Sequence, residues 1–430
     1  MTTSRTVGAI ALWLTFVVVH LVLGLLNLWA PGLPLGDVTI VYAEWAEQAY
    51  ASGVVVGVDM PWVYPLLALV PILASVTFGV EHIAAAWLSI VMVVNVVALG
   101  FLTRWGTSRL GVRAGWWWAA FLLALGPIAL ARIDAITVAL AIIGVRLLRA
   151  HPTTAGIVLA CATWVKVWPA ALVLAALIAV RDRGKFAIAA AVASATVVVF
   201  ALLAGAEWNV FSFITQQTGR GIQIESPVAG IWLWQIVAAV PDTFIYYDTT
   251  ILTFQIAGAG VGVAAAVVTP LLALTVVVIA IFGMRAARAG VAASSVLSVL
   301  SLALVSALIV VNKVGSPQFI SWLAVPVVLG LLSHSAQGAV NFRVPAVLTL
   351  VIATLTHAVY PYLYHLLLAS NPAMITLVSV RNLLLFVLLG WAIVGLVRLA
   401  PSGTARTSVS VRRSTESSSP SVSPTTKESA

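Results

Sequence analysis

Apolar runs long enough to cross a lipid bilayer recur from one end of this chain to the other. The first covers residues 7–30, and comparable runs follow at 82–102, 186–203 and 292–311. A helix of about 20 apolar residues spans the roughly 30 Å hydrocarbon core. Hydrophobic residues make up 62% of the chain and charged residues 8%, against about half and about a quarter in soluble domains. A water-soluble fold is therefore excluded. The expected fold is an all-α integral membrane protein with about 12 transmembrane helices. The first run is too long for the apolar core of a cleavable signal, and further spans follow it. Cys161 is the single cysteine, so no internal disulfide forms. The net charge of +9 does not call for a nucleic-acid partner, because the basic residues sit between the spans.

That placement gives the spans a direction, since Lys and Arg mark the cytoplasmic side. Span one (6–29) leads outward from Arg5, and span two (82–102) returns to Arg104, Arg109 and Arg113. Residues 116–130 and 135–148 form a hairpin that turns outside at Arg132-Ile133-Asp134. The stretch 154–180 is decisive. As one helix it would put Arg146 and Arg149 on the opposite side from Arg181, Arg183 and Lys185. Two half-helices, 155–165 and 168–180, remove the conflict, with Lys166-Val167-Trp168-Pro169 as their turn. Each half reaches about 18 Å, so the turn lies below the outer surface and needs a wall of protein or a wet cavity. Later spans are 186–203, one ending at Arg285 and Arg288, 292–311, 318–332, one leading out to Tyr360-Pro361-Tyr362, and one from about residue 382. All but five of the 22 Lys and Arg then fall inside, and all but three of the 13 Asp and Glu fall outside. The outer cations are Arg132, Lys166, Arg220, Lys313 and Arg381.

This layout makes residues 1–400 one polytopic domain with both ends cytoplasmic and its functional machinery facing outward. The long first outer loop (31–81) carries a short helix over 64–78, interrupted by Pro65 and Pro71, that lies along the membrane. A second outer segment holds an apolar, interfacial piece at 228–240. Residues 401–430 are dominated by Ser, Thr and Pro, a composition that does not fold alone.

Asp37 follows span one, at the mouth of an outward cavity, where a carboxylate can take a proton from a hydroxyl. The competing reading is a helix N-cap, because Asp caps well and Glu44 and Glu47 follow it. Asp59 is the second carboxylate candidate, and the two flank one helix. Lys166 is an ionisable group at membrane depth, which is a functional hypothesis in itself, and its compact charge suits a phosphate. Arg132, Lys313 and Arg381 lie at outer span ends. Each alone reads as an anchor or an ion-pair member, and Asp134 as a partner for Arg132. Together with Lys166 they form a candidate cluster for an anionic head group. His357 is a candidate substrate contact, and His20 reads as a buried side chain bonded to a neighbour. No paired Cys or His, Gly-rich phosphate loop or Asp-x-Asp motif is present.

Four ordered pieces carry a family likeness. They are Asp37…Tyr42, Val63-Tyr64-Pro65, Lys166-Val167-Trp168-Pro169 and Ser316-Pro317-Gln318-Phe319…Trp322, with Thr356-His357…Tyr360-Pro361 adding to them. In these the chain resembles glycosyltransferase family 87, of the polytopic GT-C class. That family uses polyprenyl-phosphate sugars and includes actinobacterial mannosyltransferases acting on phosphatidylinositol mannosides. The resemblance implies a GT-C-like fold and transfer of a hexose, mannose first, to a lipid or glycan acceptor hydroxyl on the outer side. It implies an inverting single displacement with Asp37 as general base, and no cofactor or metal. Lys166, Lys313, Arg132 and Arg381 would meet the donor phosphate. Tyr42, Asp59, Tyr64, Gln318 and His357 would bind substrate. The chain departs from the phosphatidylinositol-mannoside branch where Leu323-Ala324-Val325-Pro326 follows Ser321-Trp322. The rival from another class is a lipid or glycan transporter using the same cavity. Against it stand the absence of a repeat with a matching broken helix and the carboxylate-bearing outer loop.

Overall fold

A computed structural model describes residues 2–400 apart from 182 and 334–339, so the expected tail at 401–430 lies outside the described residues. The chain opens with α1 (Thr2–Trp29), and a π-helical turn (Asp37–Tyr42) leads into α2 (Ala43–Ser52). Next come α3 (Leu69–Ser75), α4 (Ile83–Thr103), α5 (Arg109–Leu125), α6 (Ile133–Leu147), α7 (Pro152–Val165), α8 (Ala170–Ala179) and α9 (Gly184–Leu203). The stretch between α9 and α12 holds α10 (Ser212–Thr218), α11 (Gly230–Val237) and the antiparallel hairpin of β1 (Phe244–Asp248) with β2 (Thr253–Ala257). The remainder is α12 (Val261–Arg288), α13 (Ala293–Val310), α14 (Ala324–Ser333), α15 (Arg343–Val359), α16 (Tyr364–Leu368) and α17 (Pro372–Leu399).

Among the described residues, six helices are long and apolar enough to cross a membrane, and six shorter apolar helical segments accompany them. The protein is an all-α integral membrane protein. Helix α13 is its hub: 78% of its apolar window is enclosed, against 11% for α12. A helix that is apolar all round belongs in the middle of an assembly, and α13 packs on α8, α12, α14 and α17. Small side chains (Ser295, Ser298, Ser301, Ala303) let its neighbours approach closely, as in membrane helix pairs generally. Helix α6 is enclosed in the same way, between α4 and α7.

The broken segment forms as two helices, α7 and α8. Pro169 fixes the start of α8 and disfavours a helical Trp168, while Lys166 is extended (φ −155°, ψ 141°). The two helices measure about 21 and 15 Å, each short of a bilayer core of roughly 30 Å. The 64–78 segment is likewise too short to cross, a 3-10 turn (Leu66–Ala68) followed by α3.

Two elements differ from the sequence reading. Helix α17 starts ten residues earlier than the span expected from about residue 382. Asn371 caps it by accepting the Ala373 N–H (3.0 Å), and Pro372 occupies its first turn. This draws Arg381 into the interior of a helix. The β1–β2 hairpin was not expected at all. Its second strand also pairs with residues 222–224, through Ile224 N–H to Phe254 O (3.3 Å) and Ile256 N–H to Ile222 O (3.0 Å).

Candidate active site

The turn between α5 and α6 is the anchor of the site. Gly126 ends α5 with φ +76°, and the ring of His357 lies where a Cβ would be, so only glycine fits there. Asn27 donates to Pro127 O (2.9 Å) and Trp87 Nε1 donates to Leu130 O (3.0 Å). These two bonds pin the turn to α1 and α4, ahead of Arg132.

Arg132 is buried, with its guanidinium spread over several acceptors. Nε donates to Asp37 Oδ2 (2.8 Å), Nη2 to the Tyr360 hydroxyl (3.0 Å), and Nη1 to Ala131 O (2.9 Å) and Pro34 O. Burial works against the charged guanidinium, but Asp37, Tyr360 and Tyr42 outweigh it and raise its pKa. Asp37 is thus tied to an arginine and does not cap the helix; its turn has no side-chain cap. Arg132, expected at the phosphate, instead holds the candidate base, because the end of α1 converges on the start of α6.

A second ion pair lies beside the first. Lys166 Nζ reaches Asp134 Oδ2 at 2.7 Å, and Trp322 Nε1 donates to Asp134 Oδ1 (2.6 Å). Trp168 Nε1 donates to Thr137 Oγ1 (2.9 Å) and its ring stacks on Trp322, with centroids 5.5 Å apart. Asp134 therefore pairs with Lys166, not with Arg132. The backbone changes from extended at Arg132 (φ −140°, ψ 160°) to helical at Ile133, which sends the two side chains to different partners. The carboxylates differ in access: the Asp37 side chain is 39% exposed and that of Asp134 only 2%. Of the two, Asp37 can meet a substrate.

Tyr64 connects the pairs. Lys166 Nζ sits 5.4 Å from its ring centre and equally far from that of Phe319. Burial raises the Tyr64 phenol pKa, Lys166 opposes this, and Asp37 and Asp134 both add to it. Tyr42 meets Tyr64 edge-on (6.4 Å) but is wholly enclosed, and its hydroxyl accepts the Ile133 N–H (3.3 Å). Tyr42 was expected to touch substrate; the enclosure puts it behind the site, where it positions the start of α6.

Gln318 is buried in the 3-10 segment Pro317–Leu323 that presents Phe319 and Trp322. His357 meets the Tyr362 hydroxyl (3.3 Å), and Tyr360, on the same turn, reaches Arg132. Asp59 is exposed and its carboxylate accepts the Val55 N–H (2.7 Å), which closes a local turn. Arg381 is removed from the cation cluster. Buried in α17, it donates to Glu225 Oε2 (2.7 Å), Glu225 O (2.8 Å) and Asn382 Oδ1 (3.0 Å), so its donors are consumed by structure. His20 is buried as expected, between Phe16 O (2.8 Å) and Asn95 Nδ2 (2.9 Å).

Arg220 was counted among the outer cations but not singled out. Its Nε is buried without a hydrogen-bond partner. Burial lowers its pKa while Tyr64 and Asp248 raise it. Lys313 is buried too, and its pKa is lowered by burial and then by Arg220. The Gln223 N–H bonds Lys313 O (2.9 Å), which ties the Arg220 loop to the loop before Pro317. Arg220, which interacts with Asp248, and Lys313 add two further cationic groups to the Asp37–Arg132 and Asp134–Lys166 pairs. The flanking Gly219 and Gly221 were the legible signal for Arg220. Among the described residues no three His, Cys, Asp or Glu side chains are grouped to hold a metal ion.

The sequence model of glycosyltransferase family 87 matches residues 62–307, more than half of the chain. The chain belongs to glycosyltransferase family 87. This family 87 protein is accordingly a membrane glycosyltransferase, and the transporter reading gives way. The match contains Tyr64, Arg132, Asp134, Lys166 and Arg220, while Asp37 and the 316–322 segment lie outside it. No curated protein and no solved structure matches the chain.

Proposed function

We propose that the protein transfers a hexose, mannose in the first instance, from a polyprenyl-phosphate donor to a hydroxyl of a lipid or glycan acceptor. The site faces outward and both termini are cytoplasmic, a reading supported by the segregation of Lys and Arg from Asp and Glu along the spans. One observation carries the chemistry: an accessible carboxylate, Asp37, held at 2.8 Å by a buried arginine.

In the reaction the acceptor hydroxyl oxygen attacks the anomeric carbon as its proton passes to the Asp37 carboxylate. The bond from that carbon to the phosphate oxygen breaks, its electron pair stays with the phosphate, and the configuration inverts. Arg132 keeps Asp37 in place, and correct placement of a base is worth orders of magnitude in rate. The departing phosphate gains charge, which Lys166, Lys313 and Arg220 stabilise. Lys166 is shared with Asp134 (2.7 Å), and Lys313 and Arg220 add to its attraction for the phosphate. Tyr64 lies between base and cations, where the sugar would sit.

The test is incorporation of label. Membranes carrying the protein are incubated with radiolabelled polyprenyl-phosphate mannose and a lipid acceptor extract. Label is expected in a new lipid or glycan product. No transfer from any polyprenyl-phosphate sugar would overturn the reading.

A further inference from the structure

Four helix ends meet on the membrane face opposite the candidate active site. They are the last turns of α8 and α12 and the first turns of α9 and α13. Lys166 precedes the far end of α8, and Lys313 follows the far end of α13. Helix α9 leans on α7, whereas α12 leans on α8 and α13. A wedge is left between the ends of α9 and α12, and it forms a cavity of about 820 Å³. Among the described residues, α12 and α9 are the least enclosed of the long apolar helices, at 11% and 17%, so the cavity opens toward lipid.

Its lining is of two kinds. Arg181, Arg183 and Arg288 supply charge, and Leu177, Ile178 and Met284 supply an apolar wall. Among the described residues no carboxylate lines the cavity. In sequence, 181–185 and 285–288 hold five Lys or Arg against one acid, Asp182, which lies outside the described residues. Part of this charge has a local use. Arg183 Nη1 donates to Leu177 O (2.8 Å) at the end of α8, and Arg288 complements the C-terminal dipole of α12. That bond uses one of the five N–H donors of a guanidinium. Basic residues that only mark the cytoplasmic side need no common focus. Here two turns from distant parts of the chain bring three arginines to one cavity.

We propose that this cavity binds an anionic phospholipid, its phosphate between the arginines of the two turns and its acyl chains along Leu177, Ile178 and Met284. Guanidinium groups match phosphate with paired, charge-assisted N–H bonds. Basic pockets between membrane helices seat such head groups. The volume lies within the range of small-ligand sites. A free phosphate would leave the apolar wall unused, and a neutral lipid would leave the arginines without a counter-charge. The bound lipid fills the wedge and ties α9 to α12. This site is independent of the sugar, donor and acceptor proposed above.

The test is photocrosslinking of the purified full-length protein in detergent with a photoreactive phosphatidylglycerol, followed by peptide mapping. Label is expected within 177–183 or 284–293, and label only elsewhere overturns the proposal. Excess unlabelled phosphatidylglycerol should cut the yield about tenfold, while phosphatidylcholine and inorganic phosphate should leave it unchanged. Equal competition by phosphatidylcholine would mean an ordinary lipid contact, and by phosphate a free-anion site; either overturns the proposal. Arg181→Gln combined with Arg288→Gln should lower the yield about tenfold, the scale of two lost cation contacts. Met284→Trp, which fills the cavity with no change of charge, should do the same. Arg109→Gln combined with Arg149→Gln removes two exposed charges from the same membrane face outside the cavity, and should keep the wild-type yield. An equal fall there would mean general surface attraction, and an unchanged yield in both cavity variants an empty wedge; each refutes the site. Unfolding midpoints in the same detergent check that every variant is folded.

Discussion

Removing Lys166 and the charge of Asp134 together should cost less than the two single removals added. Asp134 is 2% exposed and its carboxylate is held by Lys166 Nζ (2.7 Å) and Trp322 Nε1 (2.6 Å). Lys166→Met leaves that carboxylate buried with the indole N–H alone. Breaking such a buried pair costs about 3–5 kcal/mol, because one charge is stranded. Asp134→Asn keeps an acceptor for Trp322 and strands Lys166, whose side chain is more exposed (14%), so its cost is smaller, about 1–3 kcal/mol. The double variant strands neither, and should recover about 2–3 kcal/mol of the summed cost. The measurement is reversible unfolding in mixed micelles for all four proteins, with transferase activity recorded on the same preparations. A Lys166→Met cost below about 1 kcal/mol, or single costs that simply add in the double variant, would refute the reasoning. The double variant should stay inactive despite its recovered stability. Regained activity would mean that Lys166 serves structure only.

Other expectations follow from the same contacts. Arg132→Lys cannot span Asp37, Tyr360 and two carbonyls at once, so kcat should drop about ten- to a hundredfold with donor KM nearly unchanged; steady-state kinetics in detergent would show this. Arg220→Gln should raise donor KM about tenfold, the loss of one charge-assisted contact to phosphate, and weaken the salt dependence of KM. Arg381→Met should destabilise the protein by about 3–5 kcal/mol by stranding buried Glu225, while the folded fraction keeps its donor KM; a changed KM would return Arg381 to the site.

The spans could be read from the chain because apolar length and charge placement are one-dimensional properties. Even the α7–α8 break was legible, since a single helix through 154–180 would have violated the charge rule. The partners within the site were not. Arg132 and Asp134 lie two positions apart and look like a pair, yet each finds a partner from a distant segment, Asp37 after α1 and Lys166 after α7. Only convergence in three dimensions decides that exchange. Arg381 was misplaced for a readable reason: Asn371-Pro372 is an N-cap followed by a first-turn proline, and it extends α17. The β1–β2 hairpin also had its signal in Phe244-Ile245-Tyr246-Tyr247 and Thr253-Phe254-Gln255-Ile256, rich in strand formers. Arg220 had none beyond its flanking glycines, because its buried Nε depends on loops far apart in sequence.

The central claim is that Asp37 removes the acceptor proton. Its most direct test compares Asp37→Asn with wild type in the labelled-mannose assay, with folding checked by unfolding midpoint and donor binding by titration. The predicted result is a kcat lowered about 10²–10⁴-fold, with donor affinity and stability close to wild type. Full activity in Asp37→Asn would contradict the account.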